Sequence, residues 1–303
     1  MSANADLTHA DGAWKYGCTA NMGLIHTLIF GNGHIAELPI TRPSSPATFP
    51  QSERPRVTIA MSPTDRDTAT FRAVIPPMLS FVSGYVDTCG FLGLSGLLTS
   101  QVTGSFVAAG AAFVQRQQGL AAKLLAMPMF MVGAGLMTLL VAVLRRRQRN
   151  PMPLALAMVA LLIAAFLILA VWYSPMASPD DPGALAAAVV AFMAMGSQSA
   201  LVRVLFKGAL PANFMTGNVT QVAVEATDLM LARAGLLHVG DPAADSARVH
   251  AATTQLKILF PMIACFILGA TIAAHAYVAL GFWSLLGATG LVMAAALWSM
   301  RMG

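Results

Sequence analysis

After Pro76 the chain alternates long apolar runs with short polar breaks, and that alternation leaves few folds open. The runs are Met78–Thr99, Val102–Val114, Leu124–Leu144, Met152–Tyr173, Ala184–Phe206, Val219–Leu231, Ile258–Ala279 and Phe282–Met300. Crossing a hydrocarbon layer of about 30 Å takes roughly 20 apolar residues in a helix. Six runs meet that length, and Val102–Val114 and Val219–Leu231 do not. With 57% hydrophobic and 10% charged residues and a mean hydropathy of +0.69, the chain lies far from soluble proteins, in which about a quarter of residues are charged. The expectation is an all-α membrane protein, and a soluble enzyme with a membrane tail is excluded.

The stretch 1–74 has a different character. It is rich in Pro, Ser, Thr and charge, as in ITRPSSPATFPQSERP over Ile40–Pro55, and carries no sustained helical period. Such composition buries too little apolar surface to offset ordering entropy, so it reads as a disordered tail. The run Met22–Gly31 is too short to span and lacks the basic flank of a signal peptide. Met61 is an alternative natural start, with the preceding residues an over-extended frame or a dispensable tail. Residues 1–72 hold six Lys/Arg against six Asp/Glu, and the remainder twelve against seven. The basic excess therefore belongs to the membrane part, where it orients helices rather than binding nucleic acid. Cys18, Cys89 and Cys265 are far apart in sequence with no CxxC, which points to neither a zinc site nor a disulfide framework.

Charge also sets the expected topology. Arg145, Arg146, Arg147 and Arg149 follow the third run, whereas SPMASPDDPG over Ser174–Gly183 carries Asp180 and Asp181 and no basic residue. The positive-inside rule places the arginines in the cytoplasm and the Asp loop outside. With Arg66 and Arg72 holding the N-terminal side inside, Val102–Val114 cannot cross without moving four arginines outward. Val219–Leu231 likewise keeps both ends on one side. The outcome is six spanning helices plus two short re-entrant or interfacial helices, with both termini cytoplasmic.

The short runs are related. Thr103-Gly104 introduces the first and Thr216-Gly217 the second, nineteen residues after Gly84 and twenty after Gly196. Lys123 leads to Gly133-Ala134 as Lys257 leads to Gly269-Ala270. The chain reads as two units, 75–173 and 184–303, each long, short, long, long. Three spans per unit is an odd number, so the second unit is inserted upside down relative to the first. Inverted repeats of this kind bind their ligand near the midplane. Non-helical backbone at the two Thr-Gly sites would have to line a wet cavity or be buried, with Thr capping the helix that follows. Two helix N-termini meeting at the centre would favour an anionic or electron-rich group.

Asp87, about ten residues into an apolar helix, costs a few kcal/mol in a bilayer and needs a partner or water. It is either a proton- or cation-coupling carboxylate in a central cavity or a structural lock held by backbone N–H groups or by Arg203. Ser197, Gln198 and Ser199 form a polar patch that binds solute or glues helices. Thr103, Gly104, Thr216, Gly217 and Asn218 are caps that also line the site. Gln221, Glu225 and Asp228 share one helix face at i, i+4 and i+7, read as water-exposed. His275 reads as a packing residue, and the 19 methionines as apolar filler. Gly133, Gly135 and Gly269 suit close helix packing. No Walker, GxSxG or HExxH motif and no metal-ligand spacing appears, so no enzyme, cofactor or metal is expected.

The segments FVSGYVDTCGF over Phe81–Phe91, Thr103-Gly104, MGSQSALVR over Met195–Arg203 and FMTGN over Phe214–Asn218 resemble the YoaK family, bacterial integral membrane proteins of unknown function. The likeness runs from about Met78 to the C-terminus and departs from the family pattern at Ser105 and Ser199. It implies a multi-pass inner-membrane protein and suggests a permease for a small polar or anionic solute. The rival is a non-transporting scaffold or sensor. The topology has a direct check: single cysteines replacing Asp180 and Arg147 should label with impermeant thiol reagent from opposite sides of the membrane, and labelling from one side would overturn it.

Overall fold

The computed structural model describes residues 63–176, 178–206, 215–234 and 242–301. By chain contacts the protein divides into Met1–Thr58 and Ile59–Gly303. The first unit, and with it most of the expected tail, lies outside the described residues. The described part is helical: α1 (Pro63–Gly93), α2 (Val102–Gln115), α3 (Leu120–Arg146), α4 (Met152–Trp172), α5 (Pro182–Leu205), α6 (Met215–Arg233), α7 (Pro242–Leu280), a 3-10 turn at Gly281–Ser284, and α8 (Leu285–Met300).

Among the described residues, four segments are long and apolar enough to cross a membrane: Leu120–Arg146, Met152–Trp172, Pro182–Leu205 and Asp245–Met300, the last containing most of α7 and all of α8. The helix α1 is not among them. Its apolar half carries Asp87, Pro76, Pro77, Ser80 and Ser83, which lower its hydropathy. Of the three spans formed by a single helix, α5 is the most buried and α3 the least.

Three boundaries differ from the sequence expectation. Residues 63–74, assigned to the tail, are helical, with Pro63 at the first position, where the fixed φ of proline suits a helix start. The first long run does not continue to Thr99. It stops at Gly93, and Ser95 and Gly96 adopt left-handed φ values of 54° and 83°, turning residues 94–101 back along α1. The helix α7 begins at Pro242 rather than Ile258, because its polar first half is helical although not apolar.

The strongest pairings run across the two sequence halves: α1 packs on α7, and α3 on α5. Glycine sets both. An added Cβ on Gly84 would overlap the Phe266 carbonyl oxygen, and one on Gly269 would overlap that of Phe81. In the other pair, Gly196 meets the Phe130 carbonyl and Gly133 that of Met193. In every case the carbonyl belongs to the residue three before the glycine of the facing helix. The helix backbones therefore touch, an approach only glycine permits. Gly135 has open space beside it, so it plays no part in this close packing.

Two hydrogen bonds order the ends. Gly119 N donates to Asp180 Oδ1 at 3.0 Å, and Arg145 Nη2 donates to the Val204 carbonyl at 3.1 Å. The helices α3 and α5 are therefore parallel, and Asp180 and Arg145 sit at opposite ends of a helix about 40 Å long. Gly93 and Leu94 share a small pocket with Ala184 and Ala188, so the end of α1 meets the start of α5 and those two helices are antiparallel. The core between them holds Ile75, Leu79, Val82 and Val86 of α1, Phe192 and Met195 of α5, Ile163 and Phe166 of α4, and Val292 of α8.

The glycine contacts generate a prediction. Gly196→Ala should destabilise the detergent-purified protein by about 2 kcal/mol through overpacking, whereas Gly135→Ala should be neutral or stabilising by up to about 1 kcal/mol through helix propensity. Thermal unfolding of both variants checks this, and equal effects would refute it.

Candidate functional site

The turn at Ser95-Gly96 brings the next residues back to the level of Asp87. Asp87 is 5% exposed and accepts three hydrogen bonds from this returning segment. Thr99 Oγ1 donates to Oδ1 at 3.1 Å, Ser100 N donates to Oδ1 at 2.8 Å, and Ser100 Oγ donates to Oδ2 at 2.7 Å. Val102 begins α2 two residues later, with no side-chain cap from Gln101. Asp87 thus places a carboxylate against the N-terminal end of α2, where negative charge is favoured. The structural half of the sequence reading, a carboxylate held by backbone N–H, is present here. Thr99 was missed because it closes an apolar run that reads as one continuous helix, and Ser100 because it falls in the short break after that run. Two hydroxyl residues just before a Val-Thr-Gly helix start were the available clue.

Arg203 is not the partner of Asp87. Gln198 Nε2 donates to the Leu79 carbonyl at 2.7 Å and to Ser83 Oγ at 2.6 Å, marking where α5 crosses α1. From that crossing Asp87 lies toward the Asp180 end and Arg203 toward the Arg145 end, because the two helices are antiparallel. Arg203 is exposed. Among the described residues Asp87 makes no ion pair.

The polar patch on α5 divides. Ser197 Oγ donates to the Gly133 carbonyl at 2.9 Å, reinforcing the α3–α5 contact. Gln198 bridges to α1, and its Oε1 is buried without a partner among the described residues. Ser199 is half-buried. It stands three residues after Gly196, as Asp87 stands three after Gly84, so the second half has a neutral hydroxyl where the first has a carboxylate.

The Thr-Gly pairs do not cap from outside their helices. Thr103 and Gly104 lie in the first turn of α2, and Thr216 and Gly217 in the first turn of α6. Both threonines are exposed and both glycines half-buried. The irregular backbone at this level is instead the segment 94–101. The third residue of each motif points inward: Ser105 is buried and donates to the Leu98 carbonyl at 3.3 Å. Asn218 is fully buried, and neither its Nδ2 nor its Oδ1 has a partner among the described residues. Its neighbours at 207–214 lie outside those residues. On α6, Gln221 donates to Glu225 at 2.7 Å, and Gln221, Glu225 and Asp228 are half-buried rather than fully exposed.

A cavity of about 220 Å³ opens beside Asp87, between Phe91 of α1, Leu98 of the returning segment, and Phe266, Ala270 and Ala274 of α7. Its walls are mostly apolar, and Asp87 supplies the charge. No group of three His, Cys, Asp or Glu among the described residues is placed to hold a metal.

Fold and site together define a protein whose described residues form helices compatible with a bilayer, with a buried carboxylate beside a cavity. A family model described as "Protein of unknown function (DUF1275)" matches residues 77–298, and the chain belongs to that family. No curated protein and no solved structure matches the chain.

The hydrogen bonds on Asp87 predict a graded response. Asp87→Asn keeps an acceptor for Ser100 N and can donate to a reoriented Ser100 hydroxyl, so its stability should fall by no more than about 1 kcal/mol. Asp87→Leu strands buried donors and should cost roughly 2–4 kcal/mol. Thermal unfolding in detergent separates the two, and equal losses would show that these hydrogen bonds do not hold the segment.

Proposed function

We propose that the protein is a small bacterial inner-membrane permease of YoaK type, with six spans, two short re-entrant helices and both termini cytoplasmic. Its halves, 75–173 and 184–303, are inverted repeats, and a small polar solute crosses at a site between them. It carries no enzymatic activity and no cofactor, and its partners are the lipid bilayer and the solute rather than nucleic acid.

The observation that carries this reading is the matched pair of glycine crossings. Gly84 with Gly269 and Gly196 with Gly133 repeat one contact, with the same three-residue offset, in both halves. The first long helix of each half pairs with the third helix of the other. Such interlocked halves suit rocking of α1 with α7 against α3 with α5, the motion by which inverted-repeat transporters expose a midplane site alternately. Asp87, Ser83 and Gln198 lie on α1 and α5, one helix from each pair.

The scaffold reading is favoured by a different observation. Asp87, Ser197 and Gln198 all spend hydrogen bonds on their own chain, two of them on backbone carbonyls of neighbouring helices. Those contacts would hold helices together with no solute involved.

Ser83 separates the two. It is fully buried and meets Gln198 across the gap between the pairs. In a chain with Cys18, Cys89 and Cys265 replaced by alanine, Ser83→Cys should react with impermeant thiol reagent from at least one side of a permease. A Ser83→Cys protein that stays unreactive from both sides, while Arg147→Cys labels, would leave the scaffold.

A further inference from the structure

The carboxylate of Asp87 is met by hydrogen-bond donors and, among the described residues, by no cation. An ionised carboxylate is acceptor-only and offers about four lone-pair positions. Oδ1 receives Thr99 Oγ1 and Ser100 N, Oδ2 receives Ser100 Oγ, and the Thr99 N–H also bears on the carboxylate. Asp87 lines the cavity. Around it the chain supplies dipoles and, among the described residues, no cation. Intramembrane carboxylates characteristically pair with an opposite charge, so a positive group is what the site lacks.

The walls narrow the class further. Phe91 and Phe266 flank the cavity with Leu92, Leu98, Ala270 and Ala274. A metal ion would need about six oxygen ligands, which these side chains do not provide. An anion would meet Asp87 with no compensating base, and the N-terminal end of α2, which alone would attract one, already faces Asp87. Aromatic faces do attract an organic cation. A dry apolar cavity of about 150 Å³ suffices for benzene, so about 220 Å³ holds one ring and a short arm. Phe91 and Leu92 are 50% and 45% exposed at the rim, an apolar entrance suited to a solute arriving from the bilayer.

We propose that the cavity between α1, the 94–101 segment and α7 binds a small organic ammonium compound, its nitrogen on the Asp87 carboxylate and its aromatic or branched apolar body against Phe91 and Phe266. This deepens the permease reading by naming the class of solute, and it rests on that reading only for the step from binding to transport.

The probes are 2-phenylethylammonium, 2-phenylethanol and 3-phenylpropionate, which share a phenyl body and differ in charge. Each is titrated against the detergent-purified full chain while thermal unfolding is followed. A ligand bound only by the folded state raises Tm. The ammonium should raise it saturably, by roughly 5 °C near a hundredfold excess over Kd, and the alcohol and the carboxylate should not. Asp87→Asn should abolish the shift by removing the charge. Ala274→Leu, which fills the cavity without touching the hydrogen bonds, should abolish it too, and it carries the test if Asp87→Asn fails to fold. No shift, an equal shift with the alcohol, or a shift that survives Ala274→Leu would each overturn the proposal. Absent binding with a reactive Ser83→Cys would reject the ligand class and leave the permease. Binding with an unreactive Ser83→Cys would keep the site and reject transport.

Discussion

Direct contact between helix backbones at four glycines is the constraint on which the described structure depends. Inside a bilayer, apolar side chains gain nothing by leaving lipid for protein, so association relies on close packing and hydrogen bonds. Gly84, Gly133, Gly196 and Gly269 let carbonyl oxygens of the facing helices occupy the space of a side chain. That closeness ties α1 to α7 and α3 to α5, and so links the two sequence halves. It also positions the polar groups. Ser83 adjoins Gly84, Ser197 and Gln198 follow Gly196, and Asp87 lies one turn beyond Gly84. Gly84 itself lines the cavity opposite Phe266 and Ala270.

Asp87 solves a second problem created by the chain path. The segment 94–101 leaves helical geometry beside apolar helices, where unpaired backbone groups are expensive. Its Ser100 N–H is satisfied by Asp87 and its Leu98 carbonyl by Ser105. The carboxylate in turn receives the donors it needs to be buried, so each removes a cost of the other. The second half lacks the matching carboxylate, having Ser199 in its place, and its inward residue is Asn218 rather than Ser105. The two halves therefore share helix crossings while differing in the chemistry beside them. The fixed charge beside the cavity therefore comes from the first half alone among the described residues.

Hydropathy and glycine spacing made much of this legible beforehand. The ends of α3, α4 and α5 fall within about four residues of the apolar runs, because each run is bounded by charge, proline or both. The paired patches at Gly84 and Gly196, and at Gly133 and Gly269, stood out as recurring small residues in apolar surroundings. Hydropathy misled where it averages unlike neighbours. Residues 94–99 close an apolar run yet are not helical, since Ser95 and Gly96 take left-handed conformations that average hydropathy cannot register. Residues 242–257 are polar yet helical, for the same reason in reverse.

By itself the sequence determined the helical class of the described part, the order of its long apolar helices, and that Gly84, Gly133, Gly196 and Gly269 stand in recurring small-residue patches. These depend on local composition and on distances along the chain. Only the tertiary structure decided that α1 pairs with α7, that Thr99 and Ser100 rather than Arg203 hold Asp87, and that Gln198 reaches Leu79 and Ser83. The hydrogen-bonded partners alone are separated by 12 to 119 positions in the chain. A hydrogen bond is satisfied by whatever group the fold brings within about 3 Å. That proximity follows from how helices pack and where the backbone turns back, and neither is written in the neighbourhood of any single residue.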